Sequence, residues 1–307
     1  MYFKKPKFWK TINSLSILLL PFSLITLIIS EFKNFLPKEN FKIKSICVGN
    51  ITVGGTGKTS LCITINDILK KTLKTVFIKK FYLEQIDEQK LLKSKGYLIC
   101  KNSRIISLKT AQKKGCDVAI MDDGLQQKSI KKNISIVCFN SSETIGNRFL
   151  IPSGPLRERL YSIKNVNAVV LNGEKRNLEF EAKLRKINNK LKFFYGKYEP
   201  TNLNNFDRKK KYLVFSGLGN PEEFERTLKK NKFNIKKNIV FPDHYNYKKK
   251  DIDKIKKVAK TQKLNIITTE KDYLRIKKKF RRNIFFLKVN LRISDTKYFS
   301  NFFLEKL

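Results

Sequence analysis

The stretch Lys44-Ser-Ile-Cys-Val-Gly-Asn-Ile-Thr-Val-Gly-Gly-Thr-Gly-Lys-Thr-Ser60 restricts this chain more than any other. The apolar run at 46–48 stops at glycine-rich sequence, and from Leu61 onward the pattern reads as a helix. Strand, glycine loop and helix together are the setting a phosphate-binding loop requires. Gly54, Gly55 and Gly57 lack a Cβ, so backbone N–H groups can close around phosphate oxygens and adopt positive φ cheaply. The helix that follows adds its N-terminal partial charge at the same point. The segment Thr52, Val53, Gly54, Gly55, Thr56, Gly57, Lys58 and Thr59 is therefore the candidate nucleotide site. Lys58 is placed to reach the β- and γ-phosphates and the Thr59 hydroxyl to ligate Mg²⁺. Thr52 stands where the common form of the loop has its first glycine.

The 307 residues have room for two ordinary domains. They carry 66 Lys+Arg against 26 Asp+Glu, a net charge of +40. Such a surface attracts polyanions: nucleic acid, acidic phospholipid or a phosphorylated substrate. Richness in Lys, Asn, Ile and Phe extends along the whole chain, so part of this charge reflects a global bias in residue choice. Cys47, Cys62, Cys100, Cys116 and Cys138 are scattered without a C-x-x-C pair, which excludes a disulfide frame and argues for reduced core thiols. His244 is the single histidine.

Residues 11–30 carry no charge and are flanked by Lys4, Lys5, Lys7 and Lys10 on one side and Glu31 and Lys33 on the other. A helix of that length just spans a bilayer, about 30 Å. Pro21 interrupts the run, and Ser16, Ser23, Thr26 and Ser30 form a polar stripe on one side. These features favour an amphipathic helix lying in the membrane surface, with its lysines and Trp9 at the headgroups. Further on, a helix is expected at 61–71 and a short strand at 75–78, followed by irregular, charged sequence over 79–95. Residues 97–100 and 104–107 suggest a small hairpin. Asp117-Val-Ala-Ile-Met-Asp-Asp-Gly124 then ends an apolar strand in two carboxylates. An aspartate at the tip of a buried strand beside a phosphate loop holds Mg²⁺ directly or through water, which nominates Asp122 and Asp123. Strands at 134–139 and 166–171 bracket an arginine-rich Pro/Gly loop, 148–159. The repeated βα pattern predicts a parallel sheet with helices on both faces. A polar stretch follows, and 212–272 begins a second α/β pattern that includes Gly217-Leu-Gly219 as a tight turn.

Taken together, Val48-Gly-Asn-Ile-Thr-Val-Gly-Gly-Thr-Gly-Lys-Thr59, Met121-Asp-Asp-Gly-Leu-Gln126, Leu150-Ile-Pro-Ser-Gly-Pro-Leu-Arg-Glu158, Phe215-Ser-Gly-Leu-Gly-Asn-Pro221, Asp243-His244 and Thr268-Thr-Glu-Lys-Asp272 are arranged in one order. In that order they resemble the tetraacyldisaccharide 4'-kinase family of lipid A biosynthesis, over roughly residues 1 to 290. The resemblance implies ATP and Mg²⁺ as cofactors and transfer of the γ-phosphoryl group to the 4'-hydroxyl of a lipid-linked glucosamine disaccharide 1-phosphate. It implies action as a monomer at the anionic cytoplasmic face of the bacterial inner membrane, with no nucleic-acid partner. The implied fold class is α/β: two α/β/α lobes, the first a P-loop NTPase-like, mostly parallel sheet, with an N-terminal membrane-associated helix. Boundaries are expected at 1–38 for the membrane helix, 39–172 for the nucleotide lobe, 173–210 for a linker and 211–307 for the second lobe.

Carried over by position, Lys58 and Thr59 bind phosphate, and Thr59, Asp122, Asp123 and Glu158 surround the metal. Asp87 takes the place of the base for the sugar hydroxyl, His244 pairs with it, and Arg157 lines the phosphate site. The sequence departs from the family at 79–82, where an S-R-G-Y segment reads Lys79-Lys-Phe-Tyr82 and the span to Asp87 is much shorter. Lys80 is the expected substitute for the missing arginine, although a lysine does not reproduce a bidentate grip. A nucleic-acid-stimulated P-loop ATPase and a membrane-docked, catalytically weakened ATP-binding protein remain as alternatives.

Overall fold

The computed structural model describes residues 6–307, which fall into two compact units. The larger comprises Pro6–Phe81, Lys95–Tyr198 and Leu291–Leu307, and the smaller takes Tyr82–Ser94 and Glu199–Asn290.

In chain order the larger unit begins with α1 (Ser14–Leu18) and α2 (Leu20–Phe32), then β1 (Lys44–Gly49), α3 (Lys58–Leu69) and β2 (Thr75–Lys80). After α4 (Ile86–Lys95), which lies almost wholly in the smaller unit, come β3 (Leu98–Lys101), α5 (Arg104–Lys113), β4 (Val118–Asp122), β5 (Ile134–Asn140), β6 (Ala168–Asn172), α6 (Leu178–Ile187) and β7 (Lys192–Pro200). The smaller unit continues with β8 (Lys211–Ser216), α7 (Pro221–Lys230), β9 (Asn234–Val240), α8 (Lys249–Thr261), β10 (Asn265–Thr269), α9 (Glu270–Arg275) and β11 (Ile284–Leu287). β12 (Val289–Ile293) and α10 (Thr296–Leu304) return the chain to the larger unit.

The larger sheet has the order β12-β7-β6-β5-β1-β4-β2-β3, and the ladders from β7 to β3 are parallel. β1, β4, β5 and β6 are buried almost end to end, which is why they read as unbroken apolar runs with no alternation. The strand order turns back beside β1, and in open α/β sheets ligands sit at the carboxyl ends of strands at such a point. Residues 50–57 leave β1 at that end.

The smaller sheet, β11-β10-β8-β9, is parallel throughout. Leu213 and Phe215 join the α8 residues Ile252, Ile255 and Ala259 in one apolar layer. Tyr212 and Val214 join Phe224 and Leu228 of α7 in the other, as the two-residue period of a strand dictates.

Several expectations are corrected here. The stretch 97–107 is not a hairpin: β3 is followed by α5, and Arg104, Leu108 and Ala111 face inward at helical spacing. Residues 79–95 are not irregular, since α4 occupies most of them. The segment 173–210 contains α6 and β7, the latter a strand of the large sheet, because Phe193 and Phe194 are core residues. Residues 11–30 do not form one span. The helix breaks at Leu19, with Pro21 in the first turn of α2, and no helix among the described residues is long and apolar enough to cross a membrane.

The polar stripe of α2 faces inward. Ser23 Oγ donates to the Leu150 carbonyl at 2.9 Å and Thr26 Oγ1 to that of Ile151 at 2.6 Å. Phe22, Ile25, Ile28 and Phe32 are exposed by 56–69%. Trp9, expected at the surface, is buried and donates from Nε1 to the Pro152 carbonyl at 2.9 Å.

Candidate functional site

In the larger unit, Gly54 and Gly57 take positive φ, 116° and 90°, while Gly55 does not. Gly57 has a second constraint: a Cβ there would lie 2.5 Å from both Asn172 Nδ2 and the Tyr198 hydroxyl. Asn172 Nδ2 donates to the Thr56 carbonyl at 2.6 Å, so the tip of β6 fixes the loop from behind. The start of the loop is zipped to the Pro/Gly segment: Thr52 bridges Leu156, Val53 N–H donates to the Pro155 carbonyl and Arg157 N–H to that of Ile51. The Val53 amide is thereby committed within the protein and is not offered to a phosphate.

At the loop's end Thr59 Oγ1 donates to Asp122 Oδ2 at 3.1 Å, and Lys79 Nζ donates to the same oxygen at 2.7 Å. Lys79 and Asp122 have 1% and 0% of their side chains exposed. Asp123 adopts left-handed backbone, φ 53°. Arg104 Nη2 holds that turn by donating to the Asp122 and Asp123 carbonyls at 3.1 and 2.7 Å. The Asp123 carboxylate receives Arg157 Nη1 at 3.2 Å and lies 3.6 Å from Lys58 Nζ. Burial raises the Asp123 pKa, but Lys58 and then Arg157 outweigh it and hold this carboxyl below its ordinary value. Glu158 Oε2 accepts from Lys128 at 2.7 Å, while its buried Oε1 has no partner.

The donor set fits a nucleotide with Mg²⁺. A hydroxyl bonded to a strand-tip carboxylate, a second carboxylate, and Lys58 with Arg157 match a hard cation and a polyphosphate. The Thr56 hydroxyl is buried without a partner in the same loop.

The smaller unit holds a second cluster. Asp87, on α4, is 2% exposed. Its Oδ1 is 3.2 Å from His244 Nδ1 and its Oδ2 accepts from Arg275 Nη2 at 2.7 Å. Arg275 Nη1 also donates to Asp272 Oδ1 and to the Gly217 carbonyl, while Tyr247 Oη and Gly217 N–H donate to the same Asp272 oxygen. Lys271 pairs with Glu88 at 2.9 Å, so two adjacent acids of α4 are met by two bases of α9. Burial opposes ionisation of Asp87, but the His244 hydrogen bond and the Arg275 charge hold its carboxyl down at about 2. His244 itself sits at φ 56°, in the left-handed region.

Comparison with known families matches residues 15–95 and 82–307 to "Tetraacyldisaccharide-1-P 4'-kinase". The chain belongs to this family. The tetraacyldisaccharide 4'-kinase of Pelagibacter ubique is 48% identical over 305 residues, 98% of this chain and 97% of that one. The enzyme of the same name from Rickettsia canadensis is 35% identical, covering 94% and 93%. Among solved structures, the "apo" form of LpxK from Aquifex aeolicus in complex with ATP superposes with a TM-score of 0.70, covering 95% of this chain and 99% of that one. At 23% identity that likeness establishes the shared fold.

Of the residues expected from the family, Lys58, Thr59, Asp122, Asp123 and Arg157 come together at the carboxyl ends of β1 and β4. Asp87 meets His244 as expected. Lys79, and not Lys80, reaches Asp122. Arg104 and Arg275 belong to no motif of the sequence, and Lys79 opens the departing segment 79–82, where Lys80 is the expected contact. Lys79 left one signal, a cation at the end of the apolar run of β2, where an unpaired buried charge is not tolerated. Four of the five free cysteines are buried, as core thiols are.

Proposed function

We propose that this protein is an ATP-dependent kinase that phosphorylates the 4'-hydroxyl of a tetraacyldisaccharide 1-phosphate. The observation that carries the reading is the loop ending in Thr59, whose hydroxyl bonds Asp122, in a chain of this family. Phosphoryl transfer asks a protein mainly for alignment and charge neutralisation. Lys58 and Arg157, which lie on Asp123, are the groups that turn to the phosphates. Thr59, Asp122 and Asp123 would hold Mg²⁺, which would supply positive charge against the polyphosphate. Glu158 supports this ring from the adjoining segment. The Asp87–His244 pair receives the proton of the acceptor hydroxyl.

The acceptor is a lipid, and α2 suits an enzyme that collects it from a membrane. With Ser23 and Thr26 turned into the protein, the outer face is apolar and lies flat on the cytoplasmic leaflet, while the surplus of Lys and Arg attracts its anionic headgroups.

The test is transfer of label from γ-labelled ATP to the disaccharide 1-phosphate in detergent micelles. Wild type transfers label, and Lys58→Ala lowers the rate by at least about 10²-fold, as loss of a charge-stabilising donor does. Hydrolysis stimulated by nucleic acid and indifferent to the lipid acceptor would overturn the reading.

A further inference from the structure

Lys79 and Asp122 meet inside the larger unit. β2 and β4 run parallel with Ile78 beside Met121, so the next residue of each strand, Lys79 and Asp122, lie side by side at the carboxyl ends. Their side chains are 1% and 0% exposed, with Nζ 2.7 Å from Oδ2. That oxygen also accepts from the Thr59 hydroxyl at 3.1 Å, in the first turn of α3, and Oδ1 lies 3.9 Å from the Cys62 thiol. A carboxylate so placed has no water around it and needs a cation in contact. Lys79 is that cation, and it is built into the chain. The S-R-G-Y form of this segment has an uncharged serine at the same place. Around the two strand-tip aspartates stand Lys79 on Asp122, Lys58 and Arg157 on Asp123, and Arg104 on the carbonyls of both. Four cations therefore face two carboxylates, and Lys79 supplies one of the two surplus charges.

We propose that Lys79 is a resident counter-cation of the nucleotide site, which lets the loop take up ATP without Mg²⁺. This rests on the ATP site of the reading above and not on its lipid acceptor. Without a metal, a polyphosphate brought against the tips of β1 and β4 is repelled by both aspartates. Lys58 and Arg157 offset Asp123, and Lys79 offsets Asp122, so the approach remains favourable. The same ammonium opposes a divalent cation at Thr59 and Asp122, since like charges in a dry site repel strongly. Lys79 therefore narrows the difference between metal-free and metal-loaded nucleotide binding from both sides. It is a positioning residue that acts through Asp122, the carboxylate it holds against the Thr59 hydroxyl.

The experiment titrates ATP into the full chain by calorimetry, once in EDTA and once in excess Mg²⁺. Wild type binds metal-free ATP within about tenfold of its affinity with Mg²⁺. Lys79→Met weakens metal-free binding at least about tenfold and leaves binding with Mg²⁺ unchanged or tighter. The affinity of the ADP complex for Mn²⁺, followed by electron paramagnetic resonance, rises in the same variant. Loss of packing alone would weaken both titrations together. Lys79→Met combined with Asp122→Asn removes the pair as a neutral whole, so metal-free binding returns to near the wild-type value. A double variant as weak in EDTA as the single one overturns the proposal. So does a wild type that owes more than about a hundredfold of its ATP affinity to Mg²⁺, a result that needs no variant to fold. Equal losses in both buffers for Lys79→Met, with normal ATP binding by wild type, overturn this proposal alone. A wild type that binds no ATP in either buffer would overturn the kinase reading with it.

Discussion

Lys79 and Asp122 share a site from which water is excluded, 2.7 Å apart. Removing one partner of a buried pair leaves a bare charge, so Lys79→Met costs about 3–5 kcal/mol in unfolding free energy. Adding Asp122→Asn recovers most of that loss, and denaturant titration of the single and double variants checks it. Asp87 gives a pH-dependent counterpart. Its folded pKa is about 2 against an ordinary 3.8, so its contribution is full above pH 4 and disappears as pH falls through 2. The difference amounts to about 2 kcal/mol. Asp87→Asn lacks this slope, so the stability gap between wild type and variant narrows by that amount between pH 5 and pH 2, which urea unfolding at the two pH values measures. The residues least visible in the sequence are of this kind. Thr59 and Asp123 announce themselves through their immediate neighbours, whereas Lys79, Arg104 and Arg275 derive their roles from partners 43, 18 and 188 positions away.

Elements were legible where a period ran cleanly and obscure where charge or shortness blurred it. β1, β4, β5 and β6 are doubly covered, so continuous apolar runs located them. α4 has only Leu91 and Leu92 as buried apolar anchors and is otherwise held by ion pairs, a kind of support with no hydrophobic period. α5 reads as half a hairpin because Ile105-Ile106 is a short β-branched pair and the inward Arg104 breaks the apolar stripe of the helix. α2 carries the opposite lesson: the serine stripe was visible, but which face is buried depends on carbonyls at Leu150 and Ile151. Replacing Phe22 and Ile28 by serine, both solvent-facing, should leave the thermal midpoint unchanged and weaken vesicle binding at least about tenfold. Ser23→Leu should do the reverse, destabilising the fold by about 1–3 kcal/mol through the unsatisfied Leu150 and Ser153 groups. Vesicle co-sedimentation and calorimetry distinguish the two.

At the scale of the whole chain, the division into units does not follow the sequence. Tyr82–Ser94 is inserted between strands of the larger sheet yet belongs to the smaller unit, and Leu291–Leu307 makes the converse excursion. A linear reading assigns such pieces to their neighbours in the chain, because nothing local reports which core a segment joins. The charge, by contrast, was readable at once. With +40 overall, binding to vesicles containing anionic lipid should fall steeply between about 0.05 and 0.5 M salt, while binding to neutral vesicles changes little. Equal salt dependence on both would mean that charge has no part in docking.

The way α2 lies against the protein has a practical outcome. A helix that hides its hydroxyls and displays phenylalanine and isoleucine leaves the purified chain with an oily ridge in plain buffer. Such a chain gathers surfactant molecules or clumps with its own kind, so its hydrodynamic radius and its recoverable yield are set by the micelle it is handled in as much as by its sequence.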